Sequence, residues 1–169
     1  MKKPISLFTF AALLILCISL IASCKNQTED AKETTPEPTF DLAAAKAEIV
    51  AANNMFAERF NAKDSIGVAN LYTPDGKVMM HGAPAVVGRD NIQSAVAGFI
   101  NSGISVDLTT IDVWGTEDLI TEEGLVELYA GEDKVDECKY IVLWKKVDGK
   151  WHLFRDIFNS NLAPSAHAE

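Results

Sequence analysis

Histidine, cysteine and basic residues are scarce in this chain, and each scarcity removes a class of function. Only His81, His152 and His167 are present, at no metal-ligand spacing, so no metal site is expected. The 15 Lys and Arg face 24 Asp and Glu for a net charge of −9. Such a surface repels phosphate backbones, which excludes nucleic acid as a partner. The sequence also lacks a G-x-S-x-G elbow, a Walker loop, a G-x-G-x-x-G turn and an H-E-x-x-H helix, so it implies no cofactor and no familiar hydrolase. The acidic run Glu132-Asp133 with Asp136-Glu137 has no calcium-loop pattern and reads as a solvated turn.

What is present begins with Lys2 and Lys3, followed by an uncharged apolar stretch from Ile5 to Ile21 that ends on Ile21-Ala22-Ser23-Cys24. A basic start, an apolar run and small residues make an export signal. With cysteine after the small pair, the segment resembles a bacterial lipobox; an uncleaved anchor or a plain secretory signal is the alternative. Residues 1–23 are then a removed signal peptide, and Cys24 is lipidated. This leaves 146 residues, one ordinary domain in size. The signal carries two lysines and no acid, so the net charge becomes −11. Membrane attachment must come from the lipid on Cys24 rather than from a basic patch. The expected location is the bacterial cell envelope, outer membrane rather than inner, with the domain in the periplasm or at the cell surface. Residues 24–40, polar and containing Pro36-Glu37-Pro38, read as a disordered tether. With Cys17 in the signal and Cys24 acylated, Cys138 has no internal disulfide partner; it reads as a small buried side chain.

Asp41 is a plausible helix cap, and Leu42, Ala45, Ile49, Ala52, Phe56 and Phe60 recur at helical spacing to about Asn61. Asp64 caps a short second helix through Leu71. Pro74-Asp75-Gly76 reads as a turn before a strand over Lys77 to His81. A third helix is expected from Asp90, with Gln93 completing a capping box, and stops before Gly103. Strands follow over Ile104 to Trp114, Leu119 to Ala130, Lys134 to Val147 and Lys150 to Ser160, the last two joined by an Asp148-Gly149 hairpin. Helices early and antiparallel strands late imply an α+β fold with the helices on one face of a sheet.

The segment from Cys138 to Ser160, with Asp148-Gly149 at its centre, resembles the closing hairpin of the nuclear transport factor 2-like superfamily, in its SnoaL-like, ketosteroid-isomerase-like branch. Asn61 to Tyr72 with Pro74-Asp75-Gly76, and Val87-Gly88-Arg89-Asp90-Asn91-Ile92, are similar to that branch's earlier signature. The resemblance implies a cone-shaped single domain over 41–161, with three N-terminal helices packed on a strongly curved, mostly antiparallel sheet. Residues 162–169 are left as a tail. It also implies a pocket in the concave face and a homodimer through the sheet's outer face. By ungapped matching, the isomerase's oxyanion-hole tyrosine falls on Phe56, its base on Met80 and its second oxyanion-hole acid on Ile141. Three apolar residues there supply no donors for an enolate oxygen, so ketosteroid isomerisation is not expected.

Strand alternation puts Tyr140, Val142 and Trp144 on one face, and His152, Phe154, Asp156 and Phe158 on another. Matching to relatives aims both sets at the concavity. Asp156 would lie between two phenylalanines, a setting that raises a carboxyl's pKa and suits proton transfer or ligand contact. An aspartate that locks the sheet by hydrogen bonds is the alternative. His81, beside the turn at Gly82-Ala83-Pro84, is a second acid–base candidate. Phe56, Phe60, Met80, Trp114 and Tyr129 are candidate wall residues, or plain core. The sequence thus points to an envelope lipoprotein holding a small, largely apolar molecule, with cofactor-free isomerase, cyclase or dehydratase chemistry as its enzymatic form. The rival is a dimerisation or protein-interaction module whose pocket is filled by its own side chains, with apolar residues exposed on the Leu143 and Leu153 face.

Overall fold

Helix α1 spans Leu42–Asn61, and Asp41 caps it by accepting hydrogen bonds from the amides of Ala43 and Ala44. The computed structural model describes residues 40–162. The expectations for the signal peptide, Cys24, nearly all of the tether and the tail from 163 onward lie outside the described residues. Along α1, Ala45, Ile49, Asn53 and Phe60 are buried, the stripe that helical spacing demands with one polar residue inside it. Helix α2 is one turn, Ser65–Ala69, capped by Asp64 through the Gly67 amide. Helix α3 covers Arg89–Asn101.

The expected capping box at Asp90 is not formed. Gly88, at φ +84°, occupies the cap position and no side chain bonds there. The Gly88 amide donates to the Gly76 carbonyl at 2.9 Å, and Arg89 Nε donates to the Tyr72 carbonyl at 2.8 Å. These bonds fix the helix start one residue early.

Six strands form one sheet: β1 Tyr72–Met80, β2 Val86–Val87, β3 Ile104–Gly115, β4 Leu119–Ala130, β5 Asp133–Val147 and β6 Lys150–Ser160. Their order is β2-β1-β6-β5-β4-β3. All pairs are antiparallel except β1 with β6. The β5–β6 turn has positive φ at both Asp148 (50°) and Gly149 (75°), the twist a two-residue hairpin needs. The first strand is longer than expected. Pro74, Asp75 and Gly76 are looped out within it, since β1 advances from Tyr72 to Lys77 while β6 advances only from Leu153 to Arg155.

The helices cover one sheet face, and between them lies a core that includes Ile49, Phe60, Val68, Tyr72, Ile92, Ile120, Trp144, Trp151 and Leu153. Each large side chain so buried contributes roughly 1.5–3 kcal/mol. This α+β arrangement, helices on a six-stranded mostly antiparallel sheet, matches the cone fold expected.

Two bulges revise the face assignments. In β6, Trp144 pairs with Leu153 and Leu143 with Arg155, so Phe154 is the extra residue. Leu153 and Asp156 therefore both face inward, three residues apart, and Trp151 (8 % exposed) and Leu153 (3 %) are core. Phe154 lies under the Arg155 guanidinium, 3.6 Å from its ring centre. In β3, Thr110 pairs with Gly124 and Asp112 with Glu123, leaving Ile111 as the extra residue. Val113 turns inward and Trp114 turns out to solvent, 44 % exposed.

Candidate functional site

A cavity of about 110 Å³ lies between the helices and the inner sheet face, neither sealed nor a flat groove. Phe56 and Phe60 of α1 line it, stacked with ring centres 6.1 Å apart. Ile92, Val96 and Phe99 of α3 contribute, as do Met80, Val106, Val142 and Phe158 from the strands. Only four lining residues are polar: Asn53, Tyr72, Tyr140 and Asp156.

Asp156 is brought inside by the β6 bulge and paired across the sheet with Val78 on one side and Val142 on the other. The Tyr72 hydroxyl donates to its Oδ2 at 2.6 Å. Burial pushes the carboxyl up to about 6; the Tyr72 hydrogen bond pulls it back, and the negative charge of Glu122 adds to the rise. Tyr72 is held well above a normal phenol, first by burial and then by Asp156. The pair therefore consists of a phenol that stays protonated and a carboxyl that ionises near neutrality.

The second polar feature is Glu122, which is fully buried. Its Oε1 accepts from Asn53 Nδ2 (2.5 Å), Thr110 Oγ1 (2.7 Å) and Tyr140 Oη (2.8 Å), and its Oε2 from Trp144 Nε1 (2.7 Å). Four donors compensate a carboxylate that burial alone would make costly. Burial and the adjacent Glu122 push the Tyr140 phenol far above its ordinary pKa. Tyr140 reaches Glu122 across Gly124, its cross-strand partner. A Cβ at Gly124 would stand 2.1 Å from the Tyr140 ring and 2.7 Å from the Thr109 carbonyl oxygen.

Of the residues singled out from sequence, Asp156, Tyr140, Val142, Phe158, Phe56, Phe60 and Met80 line the cavity. The other expectations are corrected. Trp144 is buried but sits behind the wall, holding Glu122. Phe154 and Trp114 are turned away by the bulges. Tyr129 donates to Glu127 at 2.7 Å and is not among the residues lining this cavity. His81 is exposed in the turn after β1, outside the lining set, so it does not join Asp156. Ile141 is 37 % exposed on the outer face, and the inward neighbours are Tyr140 and Val142. Leu153 is core rather than outer surface. Cys138 is buried, and burial pushes its thiol up to about 11, the behaviour of an inert structural cysteine.

Tyr72, Asn53 and Glu122 were missed as site residues. Ile120, Glu122, Gly124, Val126 and Leu128 share one strand phase, so an acid among apolar residues was the available signal for Glu122. Asn53 lies within the buried stripe of α1, but one amide in a helix face carries no signal by itself. Tyr72 had none, because the strand read from Lys77 did not reach it.

Solved structures share this architecture. A protein of unknown function with a cystatin-like fold from Nostoc punctiforme superposes with a TM-score of 0.66 at 17 % identity, covering 76 % of this chain and 97 % of that one. A ketosteroid isomerase-like protein from Erwinia carotovora atroseptica gives 0.59 at 22 % identity, over 69 % and 96 %. A Catenulispora acidiphila protein in complex with S-DNPA gives 0.60 at 15 % identity, over 70 % and 95 %. No curated protein sequence matches the chain. The SnoaL-like domain model matches residues 53–154, which span every cavity-lining strand up to the β6 bulge, and this chain accordingly belongs to the SnoaL-like domain family.

Proposed function

We propose that this domain binds a small, largely apolar molecule in the cavity, with Asp156 and Tyr72 engaging its polar group. The observation that carries the reading is an open cavity with an almost wholly apolar wall, into which one tyrosine-bonded carboxyl projects. Cavities with apolar walls and few convergent polar groups are the usual form of a small-molecule site. At pH 7 a carboxyl of pKa about 6 is mostly ionised, so Asp156 would accept a proton from the ligand while the Tyr72 hydroxyl, donating to its Oδ2, holds it in place. Cofactor-free isomerisation, cyclisation or dehydration is the chemistry such a pair supports. The similar structures include a ketosteroid isomerase-like protein and one assigned as a scytalone dehydratase, and another was solved in complex with S-DNPA. The lipobox-like Ile21-Ala22-Ser23-Cys24 supports placing the domain at the bacterial envelope on a lipid anchor. The test is to extract protein purified gently from its native membrane and identify any co-purified molecule by mass spectrometry. Its affinity is then compared between the native chain and Asp156→Asn. Loss of binding with the fold intact is expected; unchanged affinity would remove Asp156 from the site.

A second reading, homodimerisation through the outer sheet face, is favoured by one observation. Ile141 and Ile157 are direct cross-strand partners there, 37 % and 40 % exposed, and Met79 follows in the same row. Light scattering on the native chain and on Ile141→Lys tests it: a dimer converted to monomer supports the reading, and a native monomer removes it.

A further inference from the structure

The end of the cavity near Glu122 has a chemical polarity of its own. Asn53 donates from Nδ2 to Glu122 Oε1 at 2.5 Å and to Thr110 Oγ1 at 3.0 Å, with a longer contact to Tyr140 Oη at 3.4 Å. This fixes the amide orientation, because a flipped Asn53 would set its oxygen against a carboxylate. Its Oδ1 receives no hydrogen bond from any described side chain or backbone amide, and the residue lines the cavity. The single hydroxyl proton of Tyr140 is committed to Glu122, so its oxygen can only accept. The Asn53 amide oxygen and the Tyr140 hydroxyl oxygen, on the two polar residues that line this end, therefore have acceptor capacity only, with a buried carboxylate behind them. No Lys, Arg or His lines the cavity.

Resting on the reading of this cavity as a ligand site, we propose that it selects a ring-sized ligand carrying an O–H or N–H donor, which points at Asn53 Oδ1 and Tyr140 Oη, and that it rejects anions. A carbonyl or carboxylate at that end would meet acceptors and a negative charge with no donor to satisfy it. Size follows from volume. A cavity of about 110 Å³ is below the roughly 150 Å³ of an apolar cavity that accepts benzene, so the buried part of the ligand is no larger than a single ring. Hydroxyl and amine share the required chemistry, and the two sources separate by charge: an amine that binds as ammonium loses affinity with salt, a hydroxyl does not.

The probes are phenol, aniline, anisole and benzoate, titrated into the full chain at pH 7 and followed by protein-observed NMR. Phenol and aniline are expected to bind about tenfold or more tightly than anisole, which keeps the ring and loses the donor. Benzoate is expected not to bind. Tyr140→Phe should reduce the phenol-over-anisole preference to less than about threefold. Because Tyr140→Phe also removes a donor to Glu122 and could unfold the chain, a crystal structure of the native chain with phenol gives a second reading. Its oxygen should lie within hydrogen-bond distance of Tyr140 Oη or Asn53 Oδ1. Equal binding of phenol and anisole, benzoate binding as well as phenol, or a phenol oxygen on Asp156 alone would overturn the inference while leaving the ligand site standing. Binding of none of the probes, by a cavity that stays closed to every ring, would overturn both.

Discussion

Asp156 and Glu122 stand in the same cross-strand row of the sheet, with Val142 between them. Two strand spacings separate their backbones, about 10 Å. One carboxylate is sealed by four donors and the other has a single tyrosine. The first is built to stay put, and the second keeps an oxygen free for something else.

That difference makes stability depend on pH. Asp156 has a usual value of 3.8 and is raised to about 6 when folded. Between those values the folded chain holds a proton that the unfolded chain has released. Stability therefore falls as pH rises through that window, and the deficit is complete above pH 6. Its ceiling is roughly 3 kcal/mol. Asp156→Asn should stabilise the domain by up to that amount at pH 8 and by almost nothing at pH 4, measured by urea unfolding at both. A difference that does not change with pH would show that Asp156 does not titrate in this range.

Glu122 should behave in the opposite way. Glu122→Leu strands the donors of Tyr140, Trp144, Asn53 and Thr110, and we expect a loss of about 3 kcal/mol or more. Glu122→Gln keeps one acceptor oxygen and should cost less, about 1–3 kcal/mol. Thermal unfolding of the two variants orders them.

Tyr72→Phe removes the one contact that lowers the Asp156 pKa, so the carboxyl should titrate above pH 6. Glu122→Gln removes a charge that raises it, so the same carboxyl should titrate lower. Carbon-13 NMR of the Asp156 carboxyl against pH reads both shifts, and movement of the two variants in the same direction would contradict the assignment of causes.

Gly124→Ala should cost about 2 kcal/mol or more. The added methyl would overlap the Tyr140 ring and crowd the Thr109 carbonyl. The ring can swing away, but only by leaving Glu122, whereas the carbonyl belongs to the neighbouring strand. A crystal structure of the variant should show Tyr140 displaced from Glu122; an unmoved ring and an unchanged melting temperature would contradict this.

Periodicity and turn chemistry made most of the fold legible. The stripe from Leu42 to Phe60, the caps at Asp41 and Asp64, the limits of β4 and β6, and the Asp148-Gly149 turn all follow from local rules. The site was legible only in part. Alternation placed Tyr140, Val142, Asp156 and Phe158 correctly because no irregularity lies among them, and it failed for Phe154 and Trp114 because each follows or occupies a bulge. A bulge depends on the partner strand's register, so alternation along one strand cannot reveal it. Tyr72 was hidden by another such irregularity, the looped-out Pro74-Asp75-Gly76.

The bulge at Phe154 has a consequence for how this cavity acquires its electrical character. Along an unbroken strand with Leu153 inward, Arg155 and Ile157 would follow it into the interior, and Asp156 would point outward. One surplus residue reverses that choice, sending the guanidinium out and the carboxyl in. Whether the interior offers an acid or a cation is thus decided by parity, an odd or even count of residues between two fixed pairings. A related chain that kept every one of these side chains but straightened β6 would present a positive interior, and would call for a ligand of opposite sign.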